Sequence, residues 1–183
     1  MATPRRANRQ AGFAAAFRPS ARERRPVRGS LRATREVTTL TKRYGFAASH
    51  RLCAPSLSEE RNREIFGKCA NPFGHGHNYS LEVSLQGEPD PRSGMVVQRS
   101  AMDRWVQGAV IRRVDHTHLN SEITEFGELV PTSENLLVVI EGWLRAAWPD
   151  YFPGQSLRLA SLRLEETPRN SFRNARTAAT DLS

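Results

Sequence analysis

GKCANPFGHGHNYSLEVSLQGE, from Gly67 to Glu88, combines a cluster of reactive side chains with the clearest strand in the chain. Tyr79, Leu81, Val83 and Leu85 alternate with Ser80, Glu82, Ser84 and Gln86, as in a strand with one buried and one wet face. A strand wet on one side belongs to an antiparallel sheet covered on the other. Upstream, TTLTKRYGFAASH sets Tyr44, Phe46, Ala48 and His50 on one parity, so a neighbouring strand ends on a histidine.

Working outward, SLSEERNREIF carries a capping spacing from Ser56 to Glu59 and predicts a short helix that Gly67 stops. Met102, Trp105, Val106, Ala109 and Val110 recur at helical spacing, predicting an amphipathic helix over about 99–113. A second helix starts after Pro131, capped by Thr132 or Ser133, with Leu136, Ile140, Trp143, Leu144 and Ala147 on one stripe; Pro149 is expected to end it. Leu157, Leu159, Ser161, Leu162 and Leu164 predict a third strand, and a short fourth follows the turn at Pro168. The order ββααββ is α+β: a four-stranded antiparallel sheet with two helices on one face.

A chain of 183 residues with 38% apolar content builds one well-buried domain. The net charge of +8 is not spread over it: residues 1–36 hold ten arginines against Glu23 and Glu36, so the remainder sums to zero. We therefore divide the chain into a basic arm over 1–36, a domain over 37–172 and a polar tail over 173–183 that is expected to be disordered. Disorder, a transit peptide and a loose phosphate-binding arm all fit the arm's composition, the last as a weak route to nucleic acid. No apolar run reaches the roughly 20 residues of a membrane helix, and no secretory pattern opens the chain, so a cytoplasmic protein is expected. Cys53 and Cys69 do not make a disulfide framework, and both are expected reduced.

The glycine-rich stretch admits three readings: a metal site, a reactive thiol, or a turn entering a strand. In an extended segment His75 and His77 project together, their Cα atoms roughly 7 Å apart. Imidazoles that close can converge on one cation, and His50 at the end of the adjacent strand is the natural third ligand. Three neutral histidines with an open fourth position are the arrangement of catalytic zinc, whereas structural zinc sites close with four residues. The alternative for an H-x-H pair is surface or turn-stabilising histidines. A second pair, His116 and His118, follows Asp115, whose carboxylate could orient the His116 imidazole for acid–base work; capping of the preceding helix is the competing reading.

Taken together these segments resemble the 6-pyruvoyl- and 6-carboxytetrahydropterin synthases. The likeness covers roughly Tyr44 to Phe172 through F-x-A-S-H-R-L at 46–52, G-K-C-x-N-P-x-G-H-G-H-N-Y at 67–79, D-H at 115–116, P-T-S-E-N-L at 131–136 and E-T at 166–167. It implies the tunnelling fold, whose subunits join their sheets into a barrel with active sites between subunits, and a homohexamer built as a dimer of trimers. It also implies Zn2+ on His50, His75 and His77, Cys69 as catalytic base, and Asp115 with His116 as a proton-transferring pair. Glu166 would grip the pterin ring, with Thr132, Ser133 and Glu134 lining the same pocket.

The implied substrate is 7,8-dihydroneopterin triphosphate, which must lose a proton from a weakly acidic side-chain carbon. A thiol beside a dication and Lys68 is expected to ionise below its usual value of about 8.5. The pterin edge offers a ring N–H beside an exocyclic amine, a fork that the Glu166 carboxylate can accept. Glu134 is read equally as an acid favoured by the helix N-terminus. Two product branches share this machinery: the LSEE-containing interval before His75 resembles the 6-pyruvoyl branch of biopterin synthesis. The ETPRNSF ending resembles bacterial members, and on that ground the 6-carboxy product of queuosine synthesis is favoured. Gln98 and Ala101 depart from the acidic or amide residues common at those positions.

Overall fold

The computed structural model describes residues 36–174. Both histidine-bearing segments form long strands: β1, Thr38–His50, pairs antiparallel with β2, His75–Gly87, along their full length. β4, Leu157–Thr167, pairs with the far side of β2, and β5, Asn170–Arg173, returns along β4. The α+β class expected from the sequence holds, but the sheet has five strands and is mixed. β3, Thr117–His118, lies parallel to β1 at the other edge, giving the order β3-β1-β2-β4-β5. Two residues are too few to leave a periodic signal; the contact is made by backbone, with the His116 N–H donating to the Ala47 carbonyl at 2.6 Å.

One face of this sheet is covered by helices. α2, Arg99–Val106, continues through a π turn, Gln107–Ile111, into the short α3, Arg112–Val114, so the segment read as one regular helix contains a wide turn. Its predicted stripe is nonetheless buried from Met102 to Val110. The main covering helix is α5, Ser133–Tyr151, capped by the Thr132 hydroxyl, which accepts from the Asn135 N–H at 3.3 Å. Pro149 does not end it. The proline removes a donor only from the last turn, and the helix closes two residues later, where the Phe152 N–H donates to the Trp148 carbonyl at 3.0 Å. There the Phe152 ring is wedged against Trp105 and Trp148, with centroids 5.3 and 4.8 Å away. Among the described residues no helix is long and apolar enough to cross a membrane.

The alternation in β4 slips between Leu159 and Leu162, and the pairing shows why. Leu159 faces Leu85 and Ser161 faces Ser84, so Ala160 is a bulged extra residue that returns Leu162 and Leu164 to the core. The opposite face is less wet than its pattern suggests. Glu82 accepts from Arg43 at 2.7 Å and from Arg163 at 3.4 Å, and the Ser84 and Thr41 hydroxyls are 2.8 Å apart. Asn174, in the segment read as tail, is tied to the sheet and to α5. Asn174 accepts the Leu162 N–H at 2.7 Å and donates its side-chain amide to Glu141 at 2.7 Å. The remainder of the tail, and of the basic arm up to residue 35, lies outside the described residues.

Between β1 and β2 sits α1, Glu59–Phe66, whose N-cap is Ser58 rather than the expected Ser56; Gly67 ends it at a φ of 55°. This segment has its own small centre. Asn62 is buried, accepts the Ala54 N–H at 2.7 Å, and donates to the carbonyls of Ala54, Leu57 and Ser58 at 3.1 to 3.2 Å. Asn62→Ala would strand several of these groups at once. We expect a loss of about 2 kcal/mol in equilibrium chemical denaturation, with the far-UV circular dichroism of the native state unchanged.

Candidate functional site

The register of β1 on β2 builds the site. His50 stands opposite His75 and Ala48 opposite His77, so the three imidazoles project from the helix-covered face of the sheet at one end of the core. His50 is completely buried, and its Nδ1 lies 2.8 Å from the Pro131 carbonyl. A carbonyl can only accept, so Nδ1 carries the proton and Nε2 presents a lone pair. That Nε2 is 3.2 Å from Nε2 of His75, and one nitrogen of each ring lies within 4.8 Å of the others. Nε2 of His77 is buried without a hydrogen-bond partner among the described residues.

Burial pushes the His50 and His75 pKa values below the ordinary histidine range, and the neighbouring rings of the triad add to that depression. The His50 and His75 rings are thus held neutral, the state in which imidazole coordinates a divalent cation. The donor set fits one.

Glu166, near the end of β4, enters the same cavity. The Ser133 hydroxyl donates to its Oε1 at 2.9 Å, and this oxygen lies 3.8 Å from Nε2 of both His50 and His77. Ser133 is buried at the start of α5, whereas Thr132 serves as its cap and Glu134 is exposed in its first turn. Of the three residues predicted to line a pocket, Ser133 is therefore the one that reaches the triad through a contact.

Cys69 sits half-buried in a 3-10 turn, Gly67–Ala70, close enough to Glu166 and Tyr79 for their charges to interact. The sequence led us to expect a depressed thiol pKa with help from Lys68. The protein groups act in the opposite sense: burial first, and the Glu166 charge second, push the Cys69 thiol up, while Lys68 points to solvent. A cation on the histidines would have to supply the compensating positive field.

Asp115 and His116 do pair, with Oδ1 3.1 Å from Nδ1. The Ala47 N–H donates to the Asp115 carboxylate at 2.9 Å and holds its pKa below the usual carboxylate range. His116 adopts a φ of 61°, a left-handed conformation uncommon outside glycine, and its side chain is 82% exposed. His116 lines an open groove together with Ala47, Ser49, Asn78 and His77. His118 is not one of the three converging imidazoles; its Nδ1 is 3.1 Å from the Ser121 hydroxyl, and it lines the groove beside His116. Gln98 is the N-cap residue of α2 and makes no side-chain cap there.

Two contributors left no side-chain signal in the sequence. One is the Pro131 carbonyl that sets the His50 tautomer. The other is Gly74, at a φ of 66°, where a Cβ would stand 2.8 Å from the His50 carbonyl oxygen. The glycine was visible between Phe73 and His75, but its need for both positive φ and close backbone approach was not.

Comparison with known proteins agrees with this geometry. The family model described as 6-pyruvoyl tetrahydropterin synthase matches residues 39–176. A 6-pyruvoyl tetrahydrobiopterin synthase from Poecilia reticulata is 37% identical over 131 residues, 72% of this chain and 85% of the relative. The structure of Caenorhabditis elegans 6-pyruvoyl tetrahydropterin synthase superposes with a TM-score of 0.70 at 35% identity, covering 78% of this chain and 97% of that one. A 6-carboxy-5,6,7,8-tetrahydropterin synthase from Rickettsia felis is more distant, 25% identical over 143 residues, 70% of this chain and 93% of the relative.

Gly74→Ala combines left-handed strain with a clash against a ligand's own backbone, a cost of about 1–3 kcal/mol. We expect at least about a tenfold loss of divalent-cation affinity, read by competition with a chromophoric chelator. Gly94→Ala is the control. Its φ is 69° with nothing within 4 Å of the added Cβ, so it should lose stability without losing metal affinity.

Proposed function

This chain belongs to the 6-pyruvoyl tetrahydropterin synthase family, and from that premise we propose a zinc-dependent lyase that converts 7,8-dihydroneopterin triphosphate to 6-pyruvoyltetrahydropterin with release of triphosphate. The observation that carries the reading is the convergence of three imidazole donors, His50 buried and His75 and His77 half-buried, beside a cysteine and the Glu166 carboxylate. His50, His75 and His77 would hold the zinc. When bound, it supplies Lewis acidity that stabilises negative charge developing on the side-chain oxygens of the substrate.

The chain's own groups divide the remaining work. Glu166, oriented by the Ser133 hydroxyl, accepts the fork of ring N–H and exocyclic amine and so fixes the pterin plane. Cys69 Sγ, as thiolate, takes the proton from the side-chain carbon next to the hydroxyl and the ring. The electron pair passes into the ring, which gains the two electrons and two protons that the side chain loses. Triphosphate departs with the electron pair of its C–O bond, so the sum balances without an external oxidant or reductant. His116, polarised by Asp115, delivers and collects the other protons. His116 is largely exposed on its groove, and a homohexamer with sites completed between copies of the chain is part of this reading.

The product follows the relatives rather than the ending of the chain. The 6-carboxy product expected from ETPRNSF gives way to the 6-pyruvoyl product. A seven-residue ending weighs less than 37% identity across the domain, against 25% for the 6-carboxy relative. The long interval before His75 agrees with this branch.

Incubating zinc-loaded protein with 7,8-dihydroneopterin triphosphate, with products identified by mass spectrometry, tests the reading. We expect triphosphate and 6-pyruvoyltetrahydropterin; acetaldehyde with a 6-carboxy product would reassign the branch, and no tetrahydropterin would remove the activity. Cys69→Ala should lower kcat about 10²- to 10⁴-fold while bound zinc stays unchanged. His75→Ala should lose both.

A further inference from the structure

We propose that Arg51 is a positioning residue that fixes Cys69 against the histidine triad; the inference rests on the reading of Cys69 as proton acceptor. Arg51 directly follows His50, and its backbone is clasped from both sides by one side chain. Its N–H donates to Asn120 Oδ1 at 2.9 Å, and Asn120 Nδ2 donates to its carbonyl at 2.9 Å. Asn120 belongs to α4, Leu119–Glu122, which follows directly on β3 and the Asp115–His116 segment. The strand end that carries His50 is thereby tied to the proton-transfer segment.

The Arg51 side chain reaches the other way. Nε donates to the Ala70 carbonyl at 3.2 Å, and a terminal nitrogen donates to both oxygens of Glu59 at 2.9 and 2.8 Å. The next residue completes the grip, with the Leu52 N–H donating to the Cys69 carbonyl at 2.8 Å. Consecutive carbonyls of the turn carrying the thiol are thus held by consecutive residues after the first histidine. The turn has no side-chain cap of its own, so these bonds set where Sγ stands. Only a guanidinium does this, because one edge serves a carbonyl while the other serves a carboxylate in the same plane.

Magnitude separates positioning from scaffolding. The Arg51–Glu59 pair is partly exposed, 24% and 50% by side chain, and exposed pairs of this kind contribute about 0–1 kcal/mol to stability. A displacement of about 1 Å at a reacting group, by contrast, costs roughly 10²-fold in rate. Losing Arg51 should therefore be felt in turnover far more than in folding.

The test uses zinc-loaded full-length protein. Arg51→Gln is expected to lower kcat about 10- to 100-fold with KM and bound zinc little changed, and Arg51→Lys to recover part of the loss. In a Cys53→Ser background, which leaves Cys69 as the single thiol, Arg51→Gln should speed alkylation by iodoacetamide at least about threefold as the turn loosens. Unchanged kcat and unchanged alkylation would overturn the proposal. So would a kcat loss that tracks loss of zinc, because Arg51 would then act through His50. If the unaltered protein shows no turnover of dihydroneopterin triphosphate, the functional reading fails, while the alkylation comparison still decides the Arg51–Cys69 linkage.

Discussion

The pairing of two thirteen-residue strands, β1 and β2, is the constraint on which the molecule depends. Its register runs without interruption from Thr38 opposite Gly87 to His50 opposite His75. A shift of one residue would send every side chain of a strand to the other face, taking the apolar set out of the core and the imidazoles out of convergence together. The register is locked one rung below the site, where Phe46 stacks on Tyr79 with centroids 5.0 Å apart and planes at 15°. Small Ala48 opposite His77 leaves that imidazole room to turn toward its partners. Packing and chemistry are selected by the same alignment.

What surrounds the triad follows from where α5 begins. Its start brings the Pro131 carbonyl to Nδ1 of His50 and the Ser133 hydroxyl to Glu166, so one helix terminus orients a ligand and a carboxylate at once. The site also holds an internal tension. Burial favours neutral imidazoles and a neutral thiol, while Glu166 places a negative charge among them. Protein groups alone leave Cys69 a poor base, and the arrangement makes chemical sense with a cation seated on the three rings.

Much of this was legible in the residues. Alternation and helical spacing gave the strands, both main helices and the core stripes, because those signals are imposed by burial on one face. The triad was legible because a period of two makes H-x-H a statement about direction. The rest depended on features that leave no pattern. β3 is a backbone contact of two residues; the bulge at Ala160 shows in sequence only as a slipped parity; Pro149 survives inside α5 because Phe152 is anchored by aromatic rings. Asp115 and His116 were found as a pair, but adjacency along the chain says nothing about the Ala47 amide that holds the carboxylate. Sequence did not show that burial and the Glu166 charge push the thiol up, which leaves the lowering to a cation on the rings because Lys68 is exposed to solvent.

The π turn at Gln107–Ile111 bears on how such a molecule can change over time. An extra residue in a regular helix would rotate everything after it by about 100°, and a wide turn absorbs that rotation locally. Here the absorption falls between Trp105, committed to the interior, and Asp115, committed to the Ala47 amide. The two ends of the segment are consequently uncoupled in phase. Drift in the packed half can proceed without redirecting the carboxylate, and the reach of the carboxylate can be retuned without repacking the interior.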